Sequence, residues 1–191
     1  MAISYNNQIT AKYHGRIGDI VLRHFGDRSV ISKRPNCSKV IRSKAQLTNQ
    51  KKFKQAIKYA EHVYADEELY VQYAKMKKKN RSVWNVVISD YMLMPVIVDI
   101  ELGNYEGVPG NVVSISAWDK YKIERVSVLI KNMMGELIES GDAEVRESSG
   151  GRMWDYRVTK ENQNYTGGKI EVCAYDRPGN KISKEIILGV T

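Results

Sequence analysis

Cysteine is nearly absent from this sequence: there are two, Cys37 and Cys173, in 191 residues. One lies in each half of the chain, which excludes the disulfide framework that staples small secreted domains; both read as free thiols of a reducing compartment. Long apolar runs are missing as well. No stretch approaches the roughly 18 apolar residues of a membrane span, and the opening MAISYNNQITAKYHG has no apolar segment of the kind found in secretory signals. The expected location is the cytoplasm, or a particle assembled there. Histidine is scarce too. His14, His24 and His62 form no i, i+4 helical pair and stand near no C-x-x-C element, which argues against a zinc site.

The other chemistry-bearing residues have ordinary explanations. Cys37 has no motif around it that would mark a nucleophile, and Gly15 to Gly18 lacks the G-x-x-x-x-G-K-[ST] pattern of a phosphate loop and reads as a turn. Asp119, Asp155 and Asp176 lie in or beside expected strands without the D-x-D-x-D spacing of a calcium loop. Glu67 and Glu68 suit the first turn of a helix, where the dipole is positive. The sequence therefore offers no catalytic, cofactor-binding or metal-binding residues and no small-molecule substrate, and a non-enzymatic protein is expected.

What is present is charge, unevenly placed. The composition, 42% hydrophobic and 27% charged, is that of a folded globular chain. Residues 1–95 hold 18 Lys/Arg against 7 Asp/Glu, a balance of +11, while residues 96–191 hold 12 against 15, a balance of −3. The break at Pro95 also separates two patterns, giving an expected basic hairpin-plus-helical domain at 1–95 and a β domain at 96–191.

In the first part, Ile17, Ile20, Val21 and Leu22 lead into His24-Phe25-Gly26-Asp27, and Ser29-Val30-Ile31-Ser32 leads out, the pattern of a β-hairpin closed by Pro35. Ser43-Lys-Ala-Gln46 has the form of a capping box, with Thr48 as a competing cap. Behind it Leu47, Phe53, Ile57, Ala60 and Val63 recur at helical spacing. Asp66 is placed to cap a second helix that runs through Leu69, Tyr70, Tyr73 and Met76. Ser82 to Leu93 reads as helix, or as strand because of its β-branched run. After Pro95 seven strand-like runs follow: 96–102, 111–118, 123–131, 136–144, 152–159, 169–175 and 182–188. Turn residues separate them at Gly103-Asn104, Pro109-Gly110, Met134-Gly135, Gly150-Gly151, Gly167-Gly168 and Asp176 to Asn180. That spacing predicts a β-sandwich, with Val113, Ile115 and Ala117 on one face of their strand and Val112, Ser114, Ser116 and Trp118 on the other. The expected fold class is thus α+β and multidomain.

Gly15-Arg-Ile-Gly18-Asp-Ile-Val-Leu-Arg23, Gly26-Asp-Arg-Ser-Val30, Lys33-Arg34-Pro35 and Gln50-Lys-Lys-Phe53-Lys-Gln-Ala56 form a pattern that resembles a family of small proteins of Bacteroidota bacteria and their mobile elements. Tyr105-Glu-Gly107-Val-Pro-Gly110, Val126-Ser-Val128-Leu-Ile130, Gly135 to Gly141, Trp154-Asp-Tyr156 and Tyr175 to Asn180 are similar to the immunoglobulin-like half that follows in that family. The resemblance implies a seven-stranded immunoglobulin-like sandwich after the basic half, carries no activity or catalytic residues, and points to assembly of a phage-like or other particle.

The sharpest signal is the set of cations. Lys75, Lys77, Lys78, Lys79 and Arg81 cluster within seven positions, and Arg16, Arg23, Arg28, Lys33, Arg34, Lys51, Lys52 and Lys54 are candidates for the same polyanion-binding surface. Tyr59, Tyr64, Tyr70 and Tyr73 could stack on bases, although tyrosines at helical spacing are more often core or helix-packing residues. Lysines ending a helix also have a plain role in matching its dipole. The expectation is a structural or interaction protein that meets a protein partner or itself, with nucleic-acid binding by the basic half as the alternative and no role at a membrane.

Overall fold

The computed structural model describes residues 2–5, 13–25, 28–36, 41–78, 81–103 and 105–189. Cys37, Lys79, Asn104 and the expected turn at Gly26-Asp27 lie outside them. Among the described residues the chain forms three α-helices and three antiparallel four-stranded sheets, an α+β fold. It divides into two compact units: residues 1–51 with 78–80, and residues 52–77 with 81–191. The helices beyond residue 51 therefore belong with the strands that follow them, and Pro95, where charge and composition change, is a buried residue inside the second unit.

The first unit holds β1 (Ala2–Tyr5), β2 (Gly15–Ile17), β3 (Ile20–Phe25) and β4 (Arg28–Lys33), in the order β1-β4-β3-β2. The expected hairpin is the β3–β4 pair, with Leu22 opposite Ile31. It sits in a wider sheet than the sequence suggested. Ile17 belongs to a separate strand, paired with Ile20 across the Gly18-Asp19 turn, and β1 adds the other edge. Gly15-Arg-Ile-Gly18 is therefore a strand and its turn; Gly18 adopts φ +58°, a left-handed value that glycine takes without a Cβ penalty.

Helix α1 spans Lys44–Ala65, α2 Glu67–Lys75 and α3 Val83–Met92. The capping box forms reciprocally: the Gln46 amide donates to Ser43 Oγ (3.2 Å) and the Ser43 amide to Gln46 Oε1 (2.9 Å). Asp66 caps α2 by accepting from the Leu69 amide (3.0 Å), and Ser82 caps α3 by accepting from the Asn85 amide (3.2 Å). That cap decides the ambiguous third segment for helix, because the β-branched Val83, Val86 and Val87 then fall on one buried face.

The second unit continues with β5 (Val96–Glu101), β6 (Val112–Trp118), β7 (Ile123–Lys131), β8 (Leu137–Asp142), β9 (Glu144–Val145), β10 (Met153–Arg157), β11 (Lys169–Asp176) and β12 (Lys181–Ile187). These form two sheets, β5-β6-β10-β9 and β12-β11-β7-β8. Each of the seven expected runs contains a strand. The eighth, β9, was hidden at the end of the run 136–144. There the chain changes sheets at the buried Ala143: β8 pairs with β7 and β9 with β10.

Both sheets feed one core. Val113, Ile115, Ala117, Trp154 and Tyr156 from the first meet Val126, Val128, Ile130, Ile170, Val172 and Ala174 from the second in a single buried cluster. Period-2 alternation builds it: along β6, Val113, Ile115 and Ala117 are fully buried while Trp118 is exposed. A second core cluster joins Ala60, Val63, Tyr73, Val83, Val86 and Val87 of the three helices, with Tyr121 packed against it.

Candidate interaction surfaces

The first unit's sheet differs from the rest in what it buries. Ser29 is its one buried residue among those described, and none of its described apolar side chains is buried. Residues directly opposite in an antiparallel pair share a face, so the register sorts the side chains. One face carries Ile17, Ile20, Leu22, His24, Ser29, Ile31 and Lys33; the other carries Ile3, Arg16, Val21, Arg23, Phe25, Arg28, Val30 and Ser32. Both are apolar in part. Ile17 is 63% exposed, Ile20 48%, Phe25 51% and Ile3 49%.

The two faces differ in charge. The first has one cation, Lys33, and His24, whose ring is engaged by Ser29 Oγ (2.9 Å) and the Tyr13 carbonyl (2.6 Å). On the second, Arg16, Arg23 and Arg28 come together. Arg28 lies over the Phe25 ring at 5.7 Å, and Arg16 Nε donates to the Gly18 carbonyl (2.9 Å). None of the three belongs to an ion pair among the described residues; the ion pairs found there all use cations of the β half: Lys122, Arg125, Lys131, Arg146, Lys169 and Arg177.

The remaining cations of the expected polyanion surface are divided. Lys33, Arg34, Lys51 and Lys78 belong to the first unit and Lys52, Lys54, Lys75, Lys77 and Arg81 to the second. Lys52 has structural work: its Nζ donates to the Met92 carbonyl at the end of α3 (3.2 Å), where a cation also complements the helix dipole. Lys54, Lys75, Lys77, Lys78 and Arg81 are exposed. The tyrosines divide as well. Tyr73 is fully buried and bonded to Tyr59 (3.2 Å), which removes that pair from base stacking. Tyr64 packs edge-on against Tyr70 and Trp84, and its hydroxyl accepts the Trp84 amide (3.1 Å).

Within the second unit a polar joint fastens the helices to the β11–β12 turn. The Tyr73 hydroxyl donates to the buried Asp90 carboxylate, and the Arg177 guanidinium lies over the Tyr73 ring at 5.2 Å. Arg177 Nε donates to Glu124 (3.0 Å). Asn180 Nδ2 reaches back to the carbonyls of Tyr91 (3.1 Å) and Leu93 (3.0 Å), and the Asp176 carboxylate accepts from the Asn180 amide (2.6 Å).

Burial pushes the Asp90 carboxyl up to about 7, against the opposing pull of the Tyr73 hydrogen bond and Arg177, while Asp119 and Asp176 push it further up. Burial likewise raises Asp176. Glu124 goes the other way: burial opposes its ionisation, yet hydrogen bonds from Lys122 and Arg177 hold it below the ordinary carboxylate range. Spacing offered little sign of this joint, because its partners are distant in sequence. The available signal was Asp90, a lone carboxylate on the otherwise apolar face of α3.

The aspartates considered for calcium are used internally. Asp119 accepts the amides of Tyr121 (2.7 Å) and Lys122 (3.1 Å), and Asp155 is bound by Arg146 through two nitrogens (2.6 and 2.8 Å). Among the described residues no group of His, Cys, Asp or Glu is arranged to hold a metal ion, and no helix is long and apolar enough to cross a membrane. An open groove of about 630 Å³ runs past Ser140, Gly141, Asp142, Asp155, Tyr156 and Thr159.

No family model matches the chain, and no curated protein matches it. A crystal structure described as an engineered protein is similar over 49% of this chain and 20% of its own, at 14% identity and a TM-score of 0.32.

Proposed function

We propose that this is a non-enzymatic interaction protein, a subunit of a macromolecular assembly such as a phage-like particle, whose first-unit sheet is completed by a partner. One observation carries the reading: a four-stranded sheet with apolar side chains on both faces and no buried apolar residue among those described. A sheet gains stability by covering an apolar face; this one leaves residues such as Ile17 and Phe25 at least half exposed.

The weakly charged face, with Ile17, Ile20, Leu22 and Ile31, suits a second copy of this chain. A two-fold contact sets each surface against itself, so a face with few cations can self-pair where an arginine face would repel its copy. In the β half the strand orders β5-β6-β10-β9 and β12-β11-β7-β8 correspond to A-B-E-D and G-F-C-C′, which supports an immunoglobulin-like docking module.

Light scattering coupled to size exclusion tests this. A mass that rises above the 21.8 kDa monomer with concentration, and returns to monomer on Ile17→Lys with Ile20→Lys, is the expected result. A monomer at every concentration, with no protein partner recovered by pull-down, contradicts it.

A further inference from the structure

We infer that the opposite, arginine-bearing face of the first-unit sheet binds single-stranded nucleic acid, with Arg16, Arg23 and Arg28 on the phosphates and Phe25 stacked on a base. This rests on the reading that the sheet is a docking surface, and it names the occupant of the face that self-association leaves free.

Three features of that face select the occupant. Charge is the first: three guanidiniums share the face by strand register, and Asp19, in the β2–β3 turn, is the one carboxylate among the described residues of 13–36. Geometry is the second. A guanidinium presents a planar fork of donors that matches phosphate oxygens, and none of these three is committed to a carboxylate of the chain among the described residues.

The third is Phe25, 51% exposed and held beside Arg28. A cationic surface with an exposed ring is the combination that takes an unpaired base, because every base has a π-face once it leaves the duplex. A duplex conceals those faces and offers the ring nothing to stack on. An acidic protein would satisfy the arginines and leave Phe25 without a counterpart, which makes it an outcome of the test.

The experiment is fluorescence anisotropy of the full chain with a labelled oligothymidylate of about 15 nucleotides, a length at the upper end of single-strand site sizes, over a salt series. Binding is expected to weaken with salt at a log–log slope of about −2, since each phosphate contact on a single strand contributes about −0.7. Arg23→Gln with Arg28→Gln is expected to lower that slope by about 1.4. Phe25→Leu is expected to weaken binding by about 5- to 150-fold with the slope unchanged, the equivalent of one lost stacking contact. Circular dichroism of each variant verifies the fold.

Absence of binding at low salt overturns the inference, as does binding that ignores both variants. Equal binding of a duplex or of polyglutamate, with no effect of Phe25→Leu, overturns it too. The Ile17→Lys, Ile20→Lys variant separates the two ideas: it is expected to be monomeric and still to bind the oligonucleotide. Loss of oligonucleotide binding alone leaves the self-association reading standing, and loss of self-association alone leaves this one.

Discussion

The two β regions of this protein use similar residues to different ends. In β6, β7 and β11 one face of each strand is packed into the core, where Ile115, Val128 and Val172 are fully buried. In β3 and β4 the apolar residues fall on both faces, so that Leu22 and Ile31 share one face while Val21 and Val30 share the other, and all four are only half-buried. A strand with one apolar face specifies its own packing, whereas a strand apolar on both asks for two covers. On the proposed reading, the first region is the docking surface and the second the scaffold.

Core deletions should separate the two regions most widely. Ile115→Ala is expected to cost about 2–5 kcal/mol, the range for emptying a packed aliphatic site. Leu22→Ala is expected to change the stability of the dilute monomer by less than about 1 kcal/mol. Urea denaturation of both variants measures this, and equal losses would dissolve the distinction.

Next comes the joint that ties the helices to the β half. Tyr73→Phe removes the hydroxyl that satisfies the buried Asp90 carboxylate, and is expected to cost about 1–3 kcal/mol, read by the same denaturation. Asn180→Ala removes the donors to the last carbonyls of α3 and is expected to cost about 0.5–1.5 kcal/mol for each hydrogen bond lost.

Asp90 itself gives a prediction of sign. Its carboxyl titrates near 7 in the folded chain, above its ordinary 3.8, so between those values the unfolded chain gives up the proton first. Its contribution is therefore full below about pH 4, falls as pH rises toward 7 and is level above. Asp90→Asn keeps an acceptor for Tyr73 and removes the ionisation. Relative to the native chain the variant is expected to gain stability progressively between pH 4 and 7, as thermal melts across that range would show. A constant offset would contradict the burial assigned to Asp90.

Much of the β half was legible in the sequence because its signals are local. The run 123–131 is strand β7 residue for residue, since its β-branched residues and the turn residues around it are local signals. The caps of α1 and α2 were legible for the same reason, whereas the Ser82 cap of α3 was not read and its segment stayed open between helix and strand. What escaped depended on distant partners or on very short elements. Strands β1 and β2 have four and three residues, too few for a period to emerge, and β9 has two.

The cations show the same limit. Charge counting gathered Lys52 with its neighbours, while the fold spends it on the carbonyl of Met92, forty residues away. Conversely, the grouping of Arg16, Arg23 and Arg28 with Phe25 follows from the register of three strands, which no single segment reveals. The aggregate +11 of residues 1–95 names a region and no face.

Whether the first sheet is a surface awaiting cover is read most plainly by hydrogen–deuterium exchange on the full chain at low concentration, comparing amides of β3 and β4 with those of β7 and β11. The β3–β4 amides are expected to exchange far faster than the β7–β11 amides in the dilute monomer, and to become protected as the concentration rises or when oligonucleotide is added. Protection of β3 and β4 equal to that of β7 and β11 in the dilute monomer would contradict it.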